Sequence, residues 1–243
     1  GLTIVFAYVG SVSYKGMYNT IMQNGGNTYI LVGGIILTLG LAVFAGLFPL
    51  QLQVTRGSSY GLIEISAILS TVLTKLGIWG ILILSADVFM GSGKYGDVLL
   101  TLSLLTIIWG LLISLSSTDI RRILMGLDVS VNGFAVLSAA LMVLCGESNT
   151  FAIRSAVYML IVSSLSIFVL YMVALEQVRK INTYEIKGLI ASGKGNKLLM
   201  VVCFIACATI AGVPGTIGFL AHAMMYKAIV TIVEWKWLVV LYI

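Results

Sequence analysis

Four ionisable residues lie within otherwise apolar stretches and have the chemistry to hold or pass a proton: Glu64, Lys75, Asp128 and His222. Lys75 sits in the middle of "TVLTKLGIWG". An ammonium at bilayer depth is costly, so such a lysine faces a protein interior or a wet cavity and by default marks a conduction path. The plainer reading is a lysine bonded to a carbonyl for structure alone. Glu64 lies eleven positions earlier, which in a regular helix puts both on one face, about three turns and ~16 Å apart, aligned but out of contact. Glu64 can equally be an interfacial residue. Asp128 reads either as a buried proton acceptor or as an acid favoured by the dipole near a helix start. His222, the single histidine, follows a Pro-Gly break, where an imidazole in a hydrated kink can relay protons near neutral pH; the alternative is a ring buried and hydrogen-bonded for structure.

Other chemistry finds no residues. "GSGKYG" and "SGKG" lack the earlier Gly and the Ser/Thr after Lys of a phosphate loop and read as turns. One histidine makes no metal site, and Cys145, Cys203 and Cys207 read as packing residues rather than ligands or a disulfide framework. The expectation is a chain with no catalytic residue, metal or cofactor of its own.

The elements that must position the four residues follow from the solvent. Of 243 residues, 60% are hydrophobic and 9% charged, and the mean hydropathy is +1.10, the composition of a membrane protein. A net charge of +5, spread singly over short connections, offers nucleic acid no basic face. Spans of about 20 residues predict an all-α, polytopic bundle, one transmembrane domain over 1–243. Its helices, about eight, fall near 1–14, 27–53, 60–86, 96–117, 123–145, 152–175, 196–226 and 229–243. Two contain proline, Pro49 in "FAGLFPLQLQ" and Pro214 in "AGVPGTIGF". Proline removes a backbone donor, so both helices should break at mid-membrane, where protein or water satisfies the freed groups; paired broken helices are a transporter signature. The first span begins without Met, a charged n-region or a cleavage site and reads as a membrane helix in the later part of something longer.

Basic residues set the orientation. Arg56, Arg121, Arg122, Arg179, Lys180, Lys187, Lys194 and Lys197 fall on one side, and Lys15, Lys94, Arg154 and Lys227 on the other, so the richer face is the cytoplasm or mitochondrial matrix. Residues 176–195 read as a surface linker on that face, with one amphipathic turn around "YEIKGLI".

Five motifs fall in order across residues 41–222. "LAVFAGLFPLQLQ" resembles the "LAFK…PFHFW" stretch of the antiporter-like membrane subunits of respiratory complex I, and "AILSTVLTKLGIWG" resembles their next helix. "STDIRRIL" resembles their "DLKRLL" connection, "VSVNGFAVL" the "SSISQLGY"-type segment and "AGVPGTIGFLAH" the "AGVPPLSGFxxK" break. "ILSTVLTK" is similar to the "FLSTVSK" of the quinone-proximal, subunit 2 type, and "YMLIVSSLSIF" lacks the His and Lys that other members carry there. The "LLTKVG" of Mrp-type sodium/proton antiporter subunits is also similar to "VLTKLG".

The resemblance implies an antiporter-like inverted-repeat fold, present in part, with other membrane-arm subunits of complex I and lipid as partners and no cofactor in this chain. The membrane it implies is the mitochondrial inner membrane, with the bacterial cytoplasmic membrane as the alternative. It implies proton translocation, driven by redox chemistry elsewhere that biases buried charges along a hydrated axis. A subunit that braces the membrane arm without pumping is the other reading, and a subunit of an Mrp-type antiporter or membrane-bound hydrogenase complex a third. Aligned on Pro49, the family's broken-helix lysine falls at Phe44, which carries no proton and is expected to interrupt the axis. Lys75 matches the next family lysine, and His222 the lysine of the second break. The helices bearing the family's glutamate would precede Gly1, and a separate chain is a candidate to supply them.

Overall fold

In lipid every backbone amide must bond within the protein, and the computed structural model meets that demand with helices. It describes residues 2–9, 17, 28–50, 63–146, 150–181, 183–186 and 197–231. The helices are α1 (Leu2–Val9), α2 (Thr28–Ala45), α3 (Ile63–Asp87), α4 (Gly93–Ser116), α5 (Ile120–Cys145), α6 (Thr150–Ile181), α7 (Lys197–Ile210) and α8 (Ile217–Thr231). The helices α2 to α6 are long and apolar enough to cross a membrane, as the expected all-α membrane bundle requires.

The centre of the bundle is α5. Buried residues make up 83% of its membrane-length stretch, against 33–44% in the other four long helices. Small residues let α4 approach it. A Cβ on Gly126 would stand 2.6 Å from Ser114 N of α4, and one on Gly110 would stand 2.5 Å from Ser130 N of α5. Between helices in lipid, such close backbone contact replaces the hydrophobic drive available in water. The start of α5 is capped by Asp119, whose carboxylate accepts the Arg121 amide at 3.0 Å.

One end of the bundle gathers the start of α3, the start of α5 and the end of α6. Ile120 N donates to Tyr184 O at 3.0 Å and Ile186 N to Thr118 O at 3.1 Å, while the Arg121 guanidinium lies 3.9 Å over the Tyr184 ring. This end carries Arg121, Arg122, Arg179 and Lys180. The linker expected from residue 176 starts later, because α6 runs on to Ile181. A Glu176–Lys180 pair at 3.2 Å and basic residues beside the C-terminal carbonyls support that extra length. Residues 182 and 187–195 of the expected linker lie outside the described residues.

Both proline positions fall where a helix stops. Helix α2 ends at Ala45; Gly46 takes φ +67°, residues 48–50 form a turn, and the Phe48–Pro49 peptide is cis. Residues 51–53 of that expected span lie outside the described residues. The stretch expected as one span over 196–226 is two helices, α7 and α8, parted by a turn at 211–216 that holds Pro214. Helix α8 continues past the expected end at 226, since Lys227, which reads as a connection, lies 5.3 Å from the Phe151 ring centre. Most of the eighth expected span, 232–243, lies outside the described residues, as do residues 10–14 of the first.

Candidate functional site

Lys75 is not reached by a regular helix. Leu69–Leu73 form a π-type turn, and the Thr74 amide reaches back to Leu69 O. Hydroxyls also bond carbonyls of the turn before it, Ser70 Oγ donating to Ser66 O at 2.7 Å and Thr71 Oγ1 to Ala67 O at 2.6 Å. The wider turn offsets the residues after it by about one position, ~100°. Glu64 and Lys75 therefore do not share the face that a straight helix predicts. Glu64 takes an exposed ion pair with Arg179 of α6 at 3.1 Å, and Lys75 turns inward, only 5% exposed.

Lys75 turns onto α5. Its Nζ donates to Asp128 Oδ1 at 2.8 Å and to Asn132 Oδ1. Asp128 and Asn132 are one turn apart on the same helix face, and both are buried. Asp128 is thus not the acid of a helix start, a place that Asp119 occupies. Among the described residues Asp128 Oδ2 has no hydrogen-bond partner, and the buried Tyr171 of α6 lies within electrostatic reach of Asp128. An unbonded lone pair on a buried carboxylate is costly. Asn132 Nδ2 donates to Ala45 O, the last carbonyl of α2, at 3.2 Å. Lysine only donates and a carbonyl only accepts, so the amide has one workable orientation.

His222 repeats part of this pattern at the second break. Its Nε2 lies 3.1 Å from Ile210 O, the last carbonyl of α7, and can only donate there. The ring stands edge-on to Phe134 of α5, centroids 5.9 Å apart, in a small pocket that Val131 and Ser163 also line. A Cβ on Gly212, at φ +70°, would come within 2.7 Å of the imidazole, so glycine is needed there for both backbone and space. Phe134 lies on a different face of α5 from Asp128 and Asn132, so the ring contact of His222 stands apart from the Lys75 cluster. Phe44 is 54% exposed and occupies the outer side of α2, while Ala45 beside it is buried against the cluster. Of the residues singled out in the sequence, Lys75 and Asp128 meet; Glu64, His222 and Phe44 stand elsewhere. Asn132 was not singled out; its signal is the i, i+4 spacing from Asp128 in an otherwise apolar helix.

Residues 1–243 match the model of the family described as "NADH:quinone oxidoreductase/Mrp antiporter, TM". The chain belongs to this family. Among its relatives, an Na(+)/H(+) antiporter subunit of Bacillus subtilis (strain 168) is 25% identical over 223 residues, covering 90% of this chain and 43% of that protein. The NADH-quinone oxidoreductase subunit M of Escherichia coli (strain K12) is 26% identical over 233 residues, covering 92% and 43%. The fold is similar to a chain in the Mrp complex from Dietzia sp. DQ12-45-1b, with TM-score 0.81, 20% identity and coverage of 99% of this chain and 44% of that one. It is also similar to a chain of respiratory complex I from Thermus thermophilus with bound NADH, with TM-score 0.74, 17% identity and coverage of 99% and 50%. The chain spans less than half the length of these two curated relatives.

Proposed function

We propose that this chain is a proton-handling subunit in the membrane arm of a proton-translocating NADH:quinone oxidoreductase, with Lys75 and Asp128 holding the proton in transit. The buried Lys75–Asp128 pair carries the reading: two ionisable groups 2.8 Å apart inside a membrane bundle, with one carboxylate oxygen left without a partner among the described residues. Intramembrane charges of this kind mark ion paths. The "ILSTVLTK" motif and the "YMLIVSSLSIF" segment without His or Lys support a subunit 2 type in the mitochondrial inner membrane. The bacterial relatives, one of them an Na(+)/H(+) antiporter subunit, favour a second reading, a subunit of a cation/proton antiporter assembly in a bacterial cytoplasmic membrane. On either reading its partners are neighbouring membrane subunits and lipid, with no cofactor in this chain.

Lys75→Arg separates proton exchange from bracing. Arginine keeps the cation for Asp128 but does not release a proton. The reconstituted assembly is expected to retain its subunits and to move fewer protons per turnover; unchanged translocation would leave Lys75 as a structural partner of Asp128.

A further inference from the structure

The stop of α2 is held by side chains from two other helices. Ala45 O, which has no successor in the helix to bond, accepts Asn132 Nδ2 of α5 at 3.2 Å. Two positions beyond Gly46, Phe48 N donates to Thr106 Oγ1 of α4 at 3.2 Å. The Thr106 hydroxyl in turn donates to Leu102 O at 2.7 Å and takes no part in the charged cluster. The Asn132 amide takes part in both: Oδ1 accepts from the Lys75 ammonium while Nδ2 holds Ala45 O. There is little slack, since a Cβ on Gly77, two residues after Lys75, would lie 2.5 Å from Ala45 N.

We infer that Asn132 is a positioning residue that transmits the state of Lys75 to the end of α2. The inference rests on the reading of Lys75 as a group that changes charge, but the hydrogen-bond chain is tested apart from transport. With the ammonium in place, both ends of the amide are engaged and its plane is fixed. Without that donor Oδ1 loses its partner, the side chain is free to turn, and the carbonyl of Ala45 loses its cap. The stop of α2 then loosens, a structural consequence at one helix end of a charge change on another. Thr106 holds the same turn independently of that charge.

The test is amide hydrogen exchange of the peptide over residues 42–50, read by mass spectrometry on the full chain in its native membrane assembly. Six proteins are compared: wild type, Lys75→Met, Asn132→Leu, Thr106→Val, and Lys75→Met combined with Asn132→Leu or with Thr106→Val. The Leu47 amide, bonded to Ala42 O at 3.0 Å, and the Phe48 amide are the reporters. Lys75→Met should speed their exchange about fivefold, the effect of one hydrogen bond of ordinary net strength. In the Asn132→Leu background the same change should add nothing, and Thr106→Val should speed exchange whether or not Lys75 is present. Should Asn132→Leu fail to assemble, Asn132→Thr replaces it in the same cycle. Exchange unaltered by Lys75→Met, or raised equally in both backgrounds, would overturn the assignment, and neither result depends on whether protons are pumped.

Discussion

Lys75→Met takes away the ammonium bonded to Asp128 Oδ1 and leaves a carboxylate that is 1% exposed with no cation beside it. From the sequence alone the change reads as silent or stabilising in a bracing subunit, because it removes a buried cation. The structure reverses that expectation, since removing one partner of a buried pair costs about 3–5 kcal/mol. Lys75→Met and Asp128→Leu are each expected to lower the melting temperature of the detergent-solubilised assembly, and the double variant to regain most of the loss, because two neutral side chains of similar volume need no partner. Losses that simply add in the double variant would mean that the two groups do not act as a pair. Lys75 was legible because a charge in an apolar run has few explanations. Its partner was not, because residues 53 positions apart meet only through the packing of α3 on α5, and a single sequence carries no record of that packing.

At the scale of elements, proline and glycine announced both helix stops, but nothing announced the π-type turn. "LSTVL" contains no Pro or Gly, and its hydroxyls suit a regular helix as well as a widened one. That turn is what separates Glu64 from Lys75 in angle, so the one-face alignment failed on a local irregularity rather than on the helix assignment. The linker and the end of the seventh span shifted because α6 and α8 extend past charged residues that find partners on neighbouring side chains. Close packing of α4 on α5 gives a test with its own control. Gly126→Val would drive a side chain into the backbone at Ser114 and should destabilise by about 1–3 kcal/mol. Gly40→Ala, with nothing within 4 Å, should be neutral or stabilise by up to about 1 kcal/mol. Thermal unfolding of the two variants side by side checks the contrast; equal melting temperatures would mean that α4 and α5 do not touch there.

For the whole molecule, composition sufficed to name the solvent, and ordered motifs sufficed to name the family. Which helix lies at the centre follows from a membrane rule: polar and small side chains turn inward, away from lipid. Helix α5, with Asp128, Asn132, Ser130, Ser138, Gly126 and Gly133, is the most buried of the long helices. The outer faces carry large apolar side chains such as Phe204, Leu115 and Ile217, as lipid or neighbouring subunits require. The chain purified by itself is expected to be polydisperse by size-exclusion chromatography with light scattering; a monodisperse, folded monomer would count against a subunit role. The central claim, that the Lys75–Asp128 pair carries a proton through the bundle, is tested most directly by Lys75→Met combined with Asp128→Asn. This variant has no charge at either position and so leaves none unpaired. Protons moved per turnover are measured in proteoliposomes at equal yield of the assembled complex. The account predicts a lower ratio than in the wild type. An unchanged ratio would contradict it and leave the pair as a brace.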